Sequence, residues 1–474
     1  MLSFENPEPF YSLPRESGQP APQGEAGVAR KSIDVEALID GQKFGAFQLR
    51  VLVLAVLALV IDGFDVQIMP FAAPSLVKTW HVSRAAFGPV FSASLFGILF
   101  GAPIFGWIGD RVGRKACILI GSVIYGVLSL GLLLTRDLHS LLLLRFLTGV
   151  GMGGVFPNAI AIAAELAPRQ RRAGMAAFMG TGITIGGVVP GLIVAQLPPG
   201  PVYQQLFLIG GIAPLVLAVL LAVGLPESIA FLVESGGSKS RIASLARQID
   251  PATQADAADE FIVPARASAE PAGYAALFAG KMAWITPLLW VMFAASLLSL
   301  FMLTSWMPLL LEASGFSAKA AAGANSLFQV GGTIAGIVAG LSMGRLGARM
   351  PAALFVLALA AVAVAARAPL SNEGLTAVIV VCGFCVTGLQ CSLNGTAGLA
   401  YPTPVRARGL GAALGVGRIG SVIGPLLAGA MVSAGVTSAR DLFLLPLAPL
   451  ALGAVAAVIV AANLNLRQAA GSAA

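Results

Sequence analysis

The sequence predicts an all-α membrane protein with twelve transmembrane helices in two homologous six-helix halves. Three observations predict it. Hydrophobic residues make up 57% of the 474 and charged residues only 11%, with a mean hydropathy of +0.87, whereas soluble domains carry about 25% charged residues. Twelve apolar stretches are each long enough for the roughly 20 residues that a bilayer core demands. A shift of 234 residues brings landmarks of the first half onto those of the second.

In chain order, residues 1–44 are rich in Pro, Gly and charge and read as a largely disordered tail. No short apolar region with a cleavage site opens the chain, so no cleaved signal peptide is expected. The first half, 45–224, holds spans near 49–76, 85–109, 116–135, 140–165, 173–197 and 204–224. A polar linker at 225–281 follows. The second half, 282–462, holds spans near 283–311, 320–343, 350–368, 374–400, 408–434 and 440–462, and 463–474 form a short C-terminal tail.

Basic residues orient the bundle. Of the 29 Lys and Arg, 21 fall on the side of the tails and linker, among them Arg111, Arg114, Lys115, Arg169, Arg172, Arg345 and Arg406. Six fall on the opposite side, including Lys78 and Lys319, and Arg145 and Arg418 lie inside spans. Positive charge stays cytoplasmic, so both termini and the linker are expected there. The net charge of +7 is thus a topology signal, and no nucleic-acid partner is implied. Cys117, Cys382, Cys385 and Cys391 lie in apolar segments without neighbouring histidines and read as packing residues, not as a metal or redox site.

The repeat aligns GWIGDRVGRK (106–115) with GLSMGRLGAR (340–349), Pro74 with Pro308, Pro168 with Pro402, Arg172 with Arg406 and Gly186 with Gly420. Parallel repeats of this kind place a central site between halves that rock against each other. In the first copy Gly106, Asp110, Arg111, Gly113, Arg114 and Lys115 form a loop suited to conformational gating. The second copy keeps Arg345 but has Gly344 in place of the acid, so a latch there should be weaker.

GDRVGRK resembles the hallmark of the major facilitator superfamily. Four further stretches resemble its aromatic acid:proton symporters. They are SIDVEALIDGQKFGAFQLRVLVLAVLALVIDGFD (32–65), RFLTGVGMGGVFPNAIAIAAELAPRQRRA (145–173), LPESIAFL (225–232) and YPTPVRARGLGAALGVGRIGSVIGPLLAG (401–429). The resemblance covers about 32–462. It implies the major facilitator fold in a bacterial inner membrane, and proton-coupled import of an aromatic carboxylate of the benzoate or hydroxybenzoate class. It also implies a protein that is no enzyme, needs no cofactor beyond the proton gradient and works as a monomer in the lipid bilayer.

An acid near the bilayer centre costs roughly 2.5–3.5 kcal/mol, yet span 1 reads LVIDGFDVQIMP with Asp62 and Asp65. Three residues apart, they stand about 60° apart around a helix and share a face. Desolvation favours their neutral forms and mutual repulsion hinders loss of the second proton. Glu165 is the third acid at membrane depth, nearer the tail side. These three are the candidate proton-coupling residues. The alternative role for either aspartate is that of a fixed partner for an arginine such as Arg145, and for Glu165 that of a partner for Arg169–Arg172. The repeat places Ser296 and Ser299 opposite the aspartates, so the acid pair belongs to one half.

Arg418 lies in the glycine-dense GAALGVGRIGSVIGP with no acid in its segment. Its planar fork suits a carboxylate and stacks on rings; the alternative is pairing with Asp62 or Asp65. Phe64, Asn158, Trp306, Gln329, Gln390 and Asn394 are the further substrate-binding candidates, aromatics for stacking and amides for ring hydroxyls. Transport of another small organic anion or a sugar, or non-transporting sensing of aromatic acids, are the competing readings. Both histidines, His81 and His139, fall in far-side loops, which argues against a hydrolase or metalloenzyme.

Overall fold

The structure, a computed structural model, describes residues 32–42, 45–198, 200–263, 273–402, 404–436 and 438–471. Of the tail at 1–44, expected to be largely disordered, residues 1–31, 43 and 44 lie outside the described residues, whereas 32–42 form regular structure. Strand β1 (Ser32–Asp34) and helix α1 (Val35–Asp40) come first. The first half then runs α2 (Ala46–Trp80), α3 (Phe87–Val112), α4 (Arg114–Gly131), α5 (Leu138–Met152) with α6 (Val155–Glu165), α7 (Arg169–Gln196) and α8 (Val202–Gly224). The linker carries α9 (Ile229–Glu234), α10 (Lys239–Ile249) and strand β2 (Glu260–Ile262). The second half runs α11 (Met282–Ala313), α12 (Ala318–Leu346), α13 (Arg349–Arg367), α14 (Asn372–Ala400), α15 (Arg406–Ser433), and α16 (Ala439–Leu444) with α17 (Leu447–Gly471).

Among the described residues, twelve spans are long and apolar enough to cross a membrane, α5–α6 and α16–α17 each counting as one. Their ends follow from capping chemistry. Asp137 accepts from the backbone N–H groups of His139 and Ser140 at the start of α5, both at 2.9 Å; these bonds, those from Ser140 foremost, hold its carboxyl below the usual range. Ser317 and Ser371 cap α12 and α14 in the same manner. Large apolar side chains such as Val223, Leu134 and Leu341 stay exposed on the outside of the bundle, as lipid-facing positions do. Six crossings in each half put the start of α2, the linker and the end of α17 on one side, the tail side.

The repeat is written into the packing. Gly97 lies against the Phe146 carbonyl and Gly149 against Ser94, joining α3 to α5; 234 residues on, Gly331 meets the Val380 carbonyl and Gly383 meets Phe328, joining α12 to α14. Gly186 of α7 touches the Val60 carbonyl of α2, and Gly420 of α15 touches the Ala294 carbonyl of α11. At each place a Cβ would fall on backbone, so only glycine permits the approach. Arg172 Nε donates to the Ala167 carbonyl (2.9 Å) and Arg406 Nε to that of Tyr401 (3.3 Å), again the same pair in each repeat.

Between the halves, the contacts gather toward the far side. Ser92 Oγ donates to the Val422 carbonyl (2.7 Å), and its repeat equivalent Ser326 donates to that of Val188 (3.0 Å). Lys78 Nζ pairs with Glu312 at 2.6 Å. Toward the tail side, Gly180, Gly340, Gly411 and Gly415 have open space where a Cβ would stand. The cleft between the halves is therefore closed at the far side.

The linker is more than a polar connection. β2 pairs in parallel with β1, matching Ser32 to Glu260 and Asp34 to Ile262. Apolar residues of α1 and α10, including Val35, Leu38, Ile242 and Ile249, join one buried cluster with Leu59, Ile162 and Leu221 of the first half. Asp40 accepts from the Arg169 N–H at the start of α7 (2.7 Å) and pairs with Arg172 (3.4 Å). Tail and linker thus form a small cap on the first half.

Candidate functional site

The residues of LVIDGFDVQIMP occupy the middle of α2. Gly63 packs so closely on Ile183 of α7 that a Cβ would overlap its carbonyl. That contact fixes the rotation of α2, and the rotation separates the two aspartates. Asp65 turns into the interior of the first half and is fully buried. Arg145 Nη1 of α5 donates to its Oδ2 at 3.1 Å, and Ser129 Oγ of α4 donates to its Oδ1 at 3.0 Å. Arg145 Nη2 reaches the Asp65 carbonyl (3.4 Å) and Ser94 Oγ of α3 (2.9 Å). Four spans meet in this neutral cluster, and Arg145 is 1% exposed.

Asp62, one turn toward the tail side, is in a different position. It is 5% exposed, and its Oδ1 has no hydrogen-bond partner among the described residues. The charges acting on it are Asp65 and, from the other half, Arg418. Arg418, half-buried on α15, has a buried Nη1 without a partner, and its charge interaction is with Asp62. The two groups are close enough to act on each other, yet no ion pair joins them among the described residues. Asp62 from the first half and Arg418 from the second act on each other electrostatically, each with unused hydrogen-bonding capacity. The shared face expected of the two aspartates is thus divided: Asp65 is spent on Arg145, and Asp62 is available.

The other candidates are scattered. Phe64 lies against Gly210 of α8, within the first half and away from the cleft. Asn158 donates to the Gly154 carbonyl of its own helix (2.8 Å) and rests its Oδ1 on Gly109. Trp306 is fully buried, donates Nε1 to the Pro425 carbonyl (3.0 Å) and meets Phe91 edge-on at 5.2 Å. These three are packing residues in this structure, because each finds its partners nearer than the cleft. Gln329 sits between the halves against Gly187, and Gln390 on α14 has a buried Oε1 without a partner. Asn394 is exposed, one turn further toward the tail side.

Glu165 does not join the aspartates. It lies 3.6 Å from Arg114 Nε, and Arg114 also binds Asp110 at 2.5 Å. Asp110, Arg114 and Glu165 therefore form an acid–arginine–acid chain on the tail side, with Arg114 as the ion-pair partner of Glu165 among the described residues. Gly113 turns the chain there at φ +106°, a value that suits glycine. Arg111 stacks on Trp107 at 3.7 Å, Lys115 Nζ donates to the Ala222 carbonyl (2.7 Å), Gly106 has open space around it, and Arg345 is exposed.

Sequence reasoning passed over two residues. Glu227 of the LPES stretch is buried against Gly113, and its carboxylate accepts from the Lys115 N–H (3.1 Å) at the start of α4, where an anion is favoured. An acid set directly behind a proline at a span exit was the available signal. Gln67 of α2 is 6% exposed with an unpartnered Oε1; an amide two residues beyond Asp65 in an apolar run was the signal there.

Comparison with known proteins follows the same lines. The Major Facilitator Superfamily model matches residues 55–425. The chain is 36% identical over 396 residues to the 4-hydroxybenzoate transporter PcaK of Pseudomonas putida, covering 83% of this chain and 88% of that one. It is 37% identical over 407 residues to the gallate transporter of Pseudomonas putida, covering 85% and 90%. Among solved structures, the xylose transporter XylE from E. coli in a partially occluded inward open conformation superposes with a TM-score of 0.66 at 16% identity, covering 87% and 98%. A bacterial homologue of the human lysosomal transporter Spinster, inward-facing and unoccupied, gives 0.65 at 18%, covering 90% and 97%.

Proposed function

The chain belongs to the major facilitator superfamily, among its aromatic acid:proton symporters, and from that premise we propose that it imports a benzoate- or hydroxybenzoate-type carboxylate with protons across the bacterial inner membrane. The observation that carries this reading is the electrostatic interaction of Asp62 and Arg418, one on each half and each with an unpartnered buried atom. Arg418 offers a two-donor fork to the carboxylate. An ionised Asp62 beside that site would repel the anion and compete for the guanidinium. A proton on Asp62 removes both effects, so proton and anion bind together and leave together.

The Asp65–Arg145 pair has a supporting role in this scheme. Its charges cancel within the first half, and it holds α2 at the rotation that presents Asp62 to the cleft. Proton coupling is thereby assigned to Asp62, and Glu165 to the tail-side loop. Gln329 and Gln390 remain substrate-binding candidates.

The 21-to-6 distribution of basic residues supports a cytoplasmic tail side. The closed far side is then periplasmic, and the cleft opens inward. Residues 45–224 and 282–462 are the two rocking halves, with 1–44, 225–281 and 463–474 on the cytoplasmic side. One chain supplies both faces of the site, so a monomer suffices, and the proton gradient supplies the free energy without a cofactor. One proton per monovalent anion moves no net charge; a second would add about 2.3 kcal/mol per 100 mV.

The test is uptake of labelled 4-hydroxybenzoate into vesicles under an imposed pH gradient. Wild type accumulates it, and collapse of the gradient abolishes accumulation. Asp62→Asn loses accumulation but keeps exchange of internal for external substrate. Gradient-driven accumulation by Asp62→Asn at the wild-type level would overturn the assignment. Binding without accumulation by the wild type would favour a sensor.

A further inference from the structure

Gln67 stands apart from the proton and carboxylate groups described above. Its side chain is more than nine-tenths buried, and its Oε1 has no hydrogen-bond partner among the described residues. It lines a small cavity between α2, α3 and α11, with Pro70, Phe91, Leu95 and Phe301 as apolar walls and Ser305 as a second polar edge. The cavity has room for little more than one water-sized group, about 10 Å³. An amide carbonyl left unpaired against apolar walls carries a desolvation cost that a matching donor would relieve.

Position gives the cavity a meaning. Gln67 follows Asp62 by five residues, about 7.5 Å further along the helix toward the closed far side and about 140° around it, on the flank of α2 that meets α3 and α11. That separation is close to the length of a benzene ring bearing one substituent at each end. A carboxylate held at the level of Asp62 and Arg418, with its ring directed toward the closed far side, would span that rise. A substituent opposite the carboxylate then arrives at the level of Gln67. The cavity there accepts one oxygen-sized group, and Gln67 Oε1 is an acceptor that requires a donor. A phenolic O–H meets both conditions, and the Ser305 hydroxyl can serve its oxygen in turn. A bare ring C–H meets neither.

We propose that Gln67, with Ser305, receives a ring hydroxyl and selects hydroxylated aromatic carboxylates over unsubstituted ones. The proposal rests on the reading of the chain as an aromatic-carboxylate importer. It assigns specificity to a residue that takes no part in the proton step. Sites that hydrogen-bond a substrate hydroxyl discriminate strongly against analogues lacking it, because the site is then left unpaired.

The test measures uptake of labelled 4-hydroxybenzoate and benzoate by the full chain in proteoliposomes, with KM determined for each. Wild type shows the lower KM for 4-hydroxybenzoate. Gln67→Leu reduces the ratio of the two KM values by roughly tenfold, the size of one lost hydrogen bond to a buried group. Ser305→Ala reduces it less, in the same direction. Gln67→Met, which keeps the length and removes the amide, carries the same test where Gln67→Leu does not assemble. A wild-type preference that survives in the Gln67 variants overturns the proposal, as does a wild type that transports both acids equally. Those outcomes leave the importer reading intact; a wild type that accumulates neither acid overturns that reading instead.

Discussion

Lys78 and Glu312 occupy the same place in the two repeats, 234 residues apart, and they pair with each other at 2.6 Å. Residues related by a pseudo-twofold can touch only near its axis, so this ion pair marks where the axis leaves the far side of the bundle. The equivalent hydrogen bonds from Ser92 to Val422 and from Ser326 to Val188 lie on either side of it. A carboxylate and an ammonium at symmetric positions attract, where two copies of either would repel. The duplicated helix pair thereby gained a clasp by losing its identity at one position.

Reversing one member of that pair, as Lys78→Glu or Glu312→Lys, places like charges on the axis and should weaken far-side closure. Lys78 is 70% exposed and Glu312 only 14%, so the pair contributes at most about 1 kcal/mol. The expected change in the open-to-closed ratio is up to roughly fivefold, and the double reversal Lys78→Glu/Glu312→Lys should restore it. A double-mutant cycle on far-side labelling of a single introduced cysteine measures this. Additive effects without recovery would remove the clasp from the account.

Neutralising Asp65 should behave unlike neutralising Asp62. Asp65→Asn leaves Arg145 as a buried cation facing no anion, which costs about 3–5 kcal/mol and should lower both yield and melting temperature. Replacing both members, as Asp65→Asn/Arg145→Met, removes the stranded charge and should recover much of the stability. Melting of the purified protein in detergent distinguishes the two. An Asp65→Asn single variant as stable as wild type would show that the cluster does not anchor α2.

Arg418→Lys keeps the charge but loses the two-donor fork. KM for an aromatic carboxylate should rise by about tenfold, one charge-assisted hydrogen bond, with the proton dependence of accumulation retained. Vesicle uptake as a function of substrate concentration gives the number. An unchanged KM in Arg418→Ala would return this residue to a structural role.

Glu227→Gln should loosen the tail-side loop without touching the cleft. The carboxylate stands at the first turn of α4 and accepts from Lys115, a position where a negative charge is worth about 0.3–1 kcal/mol. A slower turnover with unchanged KM is expected, because the loop moves with the halves while the site does not. Proteolysis at the loop, compared with wild type, reports the loosening directly.

Much of the fold was legible in the sequence, because in lipid each span must satisfy its own backbone and so stands out as an apolar run. The repeat was legible too. Gly186 and Gly420 fell at one offset, and both prove to be sites where a helix backbone touches its neighbour. The site was less legible, for a geometric reason. Sequence spacing put Asp62 and Asp65 about 60° from each other, but the seating of Gly63 on Ile183, together with the bond from Arg145, decides which of them turns inward. Trp306 and Asn158 carried the right chemistry for a ring site, yet each is met by a backbone carbonyl that no sequence pattern announces. Gln67 escaped notice because neutral amides raise little energetic alarm beside two carboxylates.

The closed cluster around Asp65 has a consequence for how the protein is made. Its donors come from α4 and α5, and Ser94 of α3 accepts from the same arginine, so the half synthesised first can neutralise that acid before the other half exists. Arg418 has no such provision. Its charge partner lies in the earlier half, and it enters the bilayer on the eleventh span with none in its own. The ribosome therefore delivers a self-sufficient first half and a second half that must dock to be electrically settled. Expressed as separate fragments, the first should insert alone, and the second should be retained only when the first is already there.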